Sequence, residues 1–362
     1  MIKFLHAADL HLDSPFSGLS PELAAQRRVE QRAMVMELTE LCNREQCDLM
    51  LLSGDLFDSD NTWPETVESL QPAFSACHAK IFIAPGNHDY YTPGCAYAVT
   101  QWPDNVHIFS SQTPTAVELP ELGCVVWGAA FTQSASPPLL EQFHVQDHSL
   151  VNLMVLHGDA LSPASPYNPI STEQIAASGL TYLALGHIHQ CAIPQPTGPT
   201  SYAWPGCPMG RGFDETGPKG VLLGTIRGEQ CQVQFHPLPG RRYEVLQIEA
   251  GTDPLASILS ALPPDTKSDC YRILLTGESA EFRTSELYQQ LSPRFFSLQI
   301  RDQTFAPLDL WEKAGENSLE GLFVQMLRAQ YDATQDEAQR CRIERAVKIG
   351  LSVMAGREVS LL

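Results

Sequence analysis

Apolar residues in this chain gather first in short runs, not in long helical stripes. Ile2 to Leu5, Leu49 to Leu52, Ile81 to Ala84, Val125 to Trp127, Leu153 to Leu156 and Leu183 to Leu185 are each a few residues long and end in polar or glycine-bearing turns. Runs of this length fit strands buried on both faces. Between the first two lies a stretch of helical texture, Pro21 to Glu45, and Pro64 to Cys77 is another, opened by proline in the first turn. Strand and helix in alternation predict a layered α/β domain over residues 1–240.

The texture changes at Gly240. Arg241-Arg242-Tyr243 opens a segment with Val245, Gln247 and Glu249 in rough alternation, followed by a helix-like run from Pro254 to Leu262. A small α/β accessory domain is expected over residues 241–309, and a helical tail over residues 310–362. In that tail Leu322, Phe323, Met326 and Leu327, then Ile343, Val347, Leu351 and Met354, recur at helical spacing and predict two or three helices.

Charge narrows the chemistry. The 362 residues carry 23 Lys and Arg against 42 Asp and Glu, a net charge of -19. No surface-wide basic coat is available to hold a polyanion. The imbalance sits early: 9 basic and 24 acidic residues precede Arg241, leaving -15, and no Lys or Arg lies between Lys80 and Arg211. Metal ions are the obvious substitute for an arginine clamp there. The ten cysteines form no CxxC pair, no stretch approaches a membrane span, and the N-terminus lacks a secretory apolar run. A reduced, cytoplasmic protein with no membrane partner is expected.

Five motifs stand where strand-like runs end: Asp9-Leu10-His11, Gly54-Asp55, Gly86-Asn87-His88-Asp89, His157-Gly158 and Gly186-His187-Ile188-His189. The carboxyl ends of strands in an open α/β sheet share one edge, so distant residues can meet there. Two carboxylates, an amide oxygen and four imidazoles form a mixed O and N donor set suited to manganese, iron or zinc. Asp9 and His11 are two apart, so an extended segment would turn both to one face, and His187 and His189 repeat that spacing. His6, His107, His144, His148 and His236 have no partner at ligand spacing and are expected to be core or surface residues, with His6 available to support the site. Asp13 is open between a supporting role and a solvated turn. Arg211 and Lys219, the first cations after the gap, are open to contact with a substrate phosphate but are expected to be solvated loop cations.

The ordered set resembles the calcineurin-like metallophosphoesterase superfamily, which implies a two-sheet sandwich flanked by helices around a dinuclear centre. The segments from His6 to Phe16, Gly54 to Asp58 and Ala184 to His189 are similar to the bacterial YhaO and SbcD type of DNA repair exonuclease subunit. Tyr202 to Pro208 and Phe213 to Gly220 extend the likeness past the metal motifs, although Ala203-Trp204-Pro205-Gly206-Cys207 departs from the usual Tyr-Pro-Gly form.

By motif, the resemblance implies one metal on Asp9, His11, Asp55 and His189, and a second on Asp55, Asn87, His157 and His187, with Asp55 bridging. Two such ions, about 3.5 to 4 Å apart, would activate water and hold both oxygens of an in-line phosphoryl displacement. Manganese is the expected ion, with iron, zinc or magnesium as alternatives. His88 becomes the candidate transition-state stabiliser or general acid, with Asp89 fixing its tautomer. The implied function is a metal-dependent DNA nuclease working with an SMC-like ATPase; a homodimer is also open, and the tail becomes a candidate docking segment. A phosphodiesterase for small nucleotides stands as the alternative, because the acidic catalytic half suits it better.

Overall fold

The computed structural model describes residues 1–59, 62–305 and 310–354. Its elements begin with β1 (Ile2–Ala7), α1 (Pro21–Arg44), β2 (Leu49–Leu52), α2 (Pro64–Ser75), β3 (Lys80–Ile83), α3 (Ala96–Val99), β4 (Val106–Ile108), β5 (Thr115–Leu119), β6 (Cys124–Gly128) and β7 (Val151–His157). They continue with α4 (Thr172–Ala177), β8 (Tyr182–Gly186), β9 (Ser201–Ala203), β10 (Gly220–Arg227), β11 (Gln230–Pro237), β12 (Tyr243–Gly251), α5 (Pro254–Ala261), β13 (Cys270–Ser279), α6 (Thr284–Leu291), β14 (Ser297–Asp302), α7 (Leu319–Ala333) and α8 (Glu337–Met354). The described residues form two compact units: those of 1–246 with 264–272 and 291–299, and those of 247–263, 273–290 and 300–354. No helix among the described residues is long and apolar enough to cross a membrane.

The first unit holds two sheets. One runs β11-β10-β1-β2-β3-β4 and the other β5-β6-β7-β8-β9. Strands β1 to β4 are parallel, as are β6 to β9, so their carboxyl ends share an edge, while β10, β11 and β5 close the flanks antiparallel. Pleat alternation sends Phe4, Leu49, Leu51 and Phe82 inward to meet Val126, Leu153, Val155, Tyr182 and Ala184 between the sheets. The opposite faces of the same strands pack on helices: Leu5, Met50, Leu52, Ile81 and Ile83 on α1 and α2, and Met154, Leu156, Leu183 and Leu185 beside Ile175 of α4. Being buried on both sides is why these strands read as unbroken apolar runs. Ser20 caps α1 and Pro21 starts it, as the sequence signals.

The expected helices and six strands therefore form, with ends shifted by a few residues. Strands β4, β5, β9 and β11 were not expected, because they are short or half-exposed and lack a continuous apolar run; β10 was not expected either, although Val221, Leu222 and Leu223 form a short apolar run in it. A third sheet, ordered β12-β13-β14, carries α5 and α6 in its connections. In the second unit α7 and α8 bury Val324, Val347 and Leu351 together, with Phe323 and Leu327 against them. The predicted stripes are corrected in part: Leu322, Met326 and Met354 face solvent, 55%, 61% and 38% exposed, and Val324 takes a buried position.

One polar link crosses the inter-sheet core. His6 of β1 is fully buried, with Nδ1 2.9 Å from the Tyr182 hydroxyl and Nε2 3.0 Å from that of Ser53. Ser53 donates in turn to the Ala184 carbonyl at 3.1 Å, so Nε2–H donates to Ser53 and the Tyr182 hydroxyl donates to Nδ1. Burial lowers the imidazole pKa to about 3 from an ordinary 6.5. The unfolded chain protonates this histidine before the folded one, so stability falls as pH drops from 6.5 towards 3. His6→Gln should reduce that slope by about 1.4 kcal/mol per pH unit between pH 6 and 4, about one proton's worth. Chemical denaturation of both forms across that range is the measurement, and parallel slopes would refute it.

Candidate metal centre

The centre forms where β1, β2, β3, β7 and β8 end. The loop after β1 stays hydrogen-bonded to the loop after β2, with Asp9 N–H on the Gly54 carbonyl at 3.0 Å and His11 N–H on that of Asp55 at 2.9 Å. Buried Gln31 of α1 holds the same loop by donating to the His11 carbonyl at 2.9 Å. Backbone in the left-handed region recurs here: Asp9, His11, Asp55 and His187 have φ of 54°, 45°, 50° and 92°. Each such residue costs on the order of 1–2 kcal/mol, and clusters of them mark sites whose geometry the surrounding fold imposes. Asp9 and His11 therefore converge through left-handed turns, which corrects the expectation of an extended segment.

Glycine makes room for this crowding. Gly54 has φ +88°, and a Cβ there would lie 2.4 Å from Nδ1 of His157. At Gly86 a Cβ would fall 2.2 Å from Oδ1 of Asp55. Both collisions are with side chains of the centre itself.

The donor atoms face each other at close range. His11 Nε2 lies 3.2 Å from His189 Nε2 and 3.7 Å from Asp55 Oδ2. His157 Nε2 lies 2.8 Å from Asn87 Oδ1 and 3.4 Å from Asp55 Oδ2, and His187 Nδ1 is 3.3 Å from the same amide oxygen. Asp9 Oδ1 is 3.9 Å from His157 and 4.0 Å from His189, while its carboxylate accepts the His187 N–H at 3.0 Å. Asp9, His11 and His189 form one tight group, and Asp9, Asp55 and His157 another. His187 and His189 thus part company: His189 joins Asp9 and His11, and His187 lies against Asn87. All seven expected ligands lie in this one place, and Asp9, His11, Asp55 and His157 are at most 1% exposed.

These atoms fit a bound cation. Nδ1 of His157 donates to the Ser53 carbonyl at 3.0 Å, which selects the tautomer that turns the lone pair of Nε2 towards two oxygens that also carry lone pairs. Nδ1 of His189 donates to Glu215 at 2.8 Å and leaves Nε2 in the same condition. Arg211 Nη2 is also 3.0 Å from that Nδ1, but the carboxylate is the stronger acceptor and fixes the proton there. His11 Nδ1 is buried without a hydrogen bond, because Asp58 Oδ1, 3.2 Å away, is out of line. Donor atoms about 3 to 4 Å apart around a divalent ion at about 2.0–2.2 Å relieve all of these repulsions. For Asp55, burial opposes ionisation, but His157, His11 and His88 outweigh it and hold the carboxyl below its usual range.

Two expectations about the third motif separate. His88 is exposed at the rim, its N–H on Asp55 Oδ1 at 3.0 Å and its ring edge-on to His11 at 4.8 Å. Asp89 does not orient it, which corrects the expected pairing: Nδ1 of His88 faces the Asp58 carbonyl at 3.0 Å. Asp89 instead accepts from the Gly86 and Phe57 N–H groups and the Tyr97 hydroxyl, so it braces the turn from below. Burial, with the charge of Asp55, pushes its carboxyl upward. Asp13 likewise accepts from the Trp63 N–H at 3.0 Å and supports the start of α2.

Three residues outside the expected set complete the surround. Glu215, 5% exposed, receives His189 and the N–H groups of Arg211, and these outweigh burial to hold its carboxyl well below the ordinary range. Arg211 also donates to Asp58 at 3.0 Å, so it is a clamp on the centre's carboxylates and not a solvated cation. Asp58 and Glu215 both lie inside segments that carry the family resemblance, which is the signal that could have found them.

The sequence of residues 2–191 matches the profile of the calcineurin-like phosphoesterases. The chain belongs to this family. An uncharacterized metallophosphoesterase of Bacillus subtilis, YhaO, is 30% identical over 308 residues, 78% of this chain and 73% of that protein. The SbcD subunit of the SbcCD nuclease from the same organism is 25% identical over 259 residues, 60% of this chain and 64% of that protein. Its namesake from Rhodobacter capsulatus is 32% identical over 93 residues, 24% of this chain and 22% of that protein. As a calcineurin-like phosphoesterase the chain is a phosphoester hydrolase, and the crowded O and N donors are its candidate metal ligands.

Carboxylate–histidine pairs of the Glu215–His189 kind fix the ring and raise its basicity as a ligand. Glu215→Gln, which keeps shape but loses charge, should weaken metal binding about 10- to 100-fold while the protein still folds. Calorimetric titration with manganese tests this, and wild-type affinity in the variant would refute it.

Proposed function

We propose that this chain is a dinuclear-metal-dependent phosphodiesterase that cleaves DNA, the nuclease subunit of a complex with an SMC-like ATPase. What carries the reading beyond the family is that its likeness to the SbcD subunit of the SbcCD nuclease runs over 259 residues, past the residue 191 limit of the family match. One ion falls to Asp9, His11, Asp55 and His189, the other to Asp55, Asn87, His157 and His187. The position of Asp55 Oδ2, 3.7 Å from His11 and 3.4 Å from His157, supports its role as the bridge. Manganese is the preferred ion, with iron, zinc and magnesium compatible with the same donors. When bound, the pair supplies Lewis-acid activation of the phosphate and of the attacking water.

The chain's own residues do the remaining work. Glu215 and Ser53 hold the protons of His189 and His157 on the far ring nitrogens, keeping the inward lone pairs available. His88, at the exposed rim and held by the Asp58 carbonyl, is suited to donate a proton to the leaving oxygen. Asp89 acts only through the turn that carries His88. The solvent-facing Leu322 and Met326 of α7 and Val353 of α8 supply an apolar surface for the ATPase, and a homodimer is compatible with the same chemistry. Small nucleotide phosphodiesters are the second reading, favoured by the -15 charge before Arg241.

Replacement of the bridge separates the ligand sets. Asp55→Ala should lose both ions, whereas Asn87→Ala should lose mainly one, as read by elemental analysis of purified protein. Two tightly held ions in Asp55→Ala would refute the assignment.

The substrate is decided by manganese-dependent turnover of single-stranded DNA, duplex ends and a nitrophenyl phosphodiester. DNA cleavage is expected, and His88→Ala should keep its metal while losing about a hundredfold or more in rate. Ester hydrolysis with no DNA cleavage at low salt would move the assignment to small substrates.

A further inference from the structure

Beside the centre, within the first unit, lies a cleft of about 340 Å³ that none of the seven expected ligands lines. Asp58 and Arg211 form the wall it shares with the centre, and Phe213, Arg272 and Gln299 form the far side with Ser17 on the rim. The guanidinium of Arg272 lies over the Phe213 ring at 4.1 Å and is held there by Gln299, which accepts from Nε at 3.1 Å and Nη2 at 3.0 Å. Tyr243 meets Phe213 edge-on at 5.1 Å, fixing the ring from another direction. The result is a pre-set planar platform rather than two mobile side chains.

Size and chemistry select the occupant. The volume suits one nucleoside and not a duplex. Aromatic and arginine planes are the surfaces on which bases stack, whatever their identity. The Ser17 hydroxyl and the Gln299 amide supply polar atoms for a base edge or sugar. Arg211 and Arg272 also meet the cation shortage, since they bring positive charge to the centre's flank after the empty interval from Lys80. Arg211 bridges Asp58 and Glu215, so it offsets part of the carboxylate charge on that wall.

We propose that this cleft is the subsite for the nucleoside next to the scissile phosphate, with the Phe213–Arg272 pair as its stacking surface. The proposal rests on the phosphodiesterase reading but not on DNA being the substrate. Its consequence is selectivity: the enzyme should favour a phosphodiester that carries a nucleoside over one that carries only simple aryl groups.

The test compares the full-length, manganese-loaded protein on thymidine monophosphate nitrophenyl ester and on bis-nitrophenyl phosphate. Wild-type protein should prefer the nucleoside ester. In Phe213→Leu and in Arg272→Gln the ratio of the two kcat/KM values should fall about tenfold, chiefly through KM, and calorimetric affinity for thymidine monophosphate should fall alongside. Phe213→Tyr keeps the ring and should restore the wild-type ratio, with thermal melting reporting whether each variant is folded. No preference in the wild type, or the same ratio in wild type and folded variants, overturns the subsite. The DNA reading fails separately: no oligonucleotide cleavage with a ratio that still depends on Phe213 sinks that reading and leaves the subsite standing.

Discussion

Lone pairs held against lone pairs at 2.8 to 3.4 Å are the constraint on which the first unit depends. Such an arrangement is unfavourable by itself, and a flexible chain would relax it. Here it cannot relax, because each donor stands on a short loop between a buried strand and a fixed next segment. The parallel strands β1, β2 and β3 of one sheet, and β7 and β8 of the other, bring five loops to one edge. The core between the sheets then sets how far apart those loops can be. Backbone at positive φ in Asp9, His11, Asp55 and His187 is the local cost of that convergence.

A second set of contacts turns crowding into a directed site. Ser53 receives one histidine proton and Glu215 another, so the ring nitrogens facing inward are the ones without hydrogen. Arg211 ties Glu215 to Asp58 and balances carboxylate charge at the edge of the centre. The strongly acidic first 240 residues and the missing cations between Lys80 and Arg211 become intelligible together: cations that bind there meet a surplus of anionic donors, and the fixed positive charge is kept to the flank.

The class of fold and the donor list were legible in the amino-acid order alone. Runs such as Leu49–Leu52 and Tyr182–Gly186 are buried on both faces, so their composition marks them as central strands. The residues following these runs are polar types with few structural reasons to recur there, so Asp9, His11, Asp55, Asn87, His157, His187 and His189 stand out without coordinates. Strand β11 escaped because an edge position removes the continuous apolar signal, and Asp58, Arg211 and Glu215 because single charged residues in loops look solvated.

Direction was settled by the packed fold. That Asp89 faces Gly86, Phe57 and Tyr97, and not its neighbour His88, follows from the path of the turn and from no property of the sequence motif. That Asp9 and His11 meet through left-handed backbone follows from the hydrogen bonds between the loops after β1 and β2. Residue type and spacing fix which atoms are available for chemistry. Where those atoms point is set by contacts between segments far apart in the chain, and those contacts exist only once the two sheets have packed.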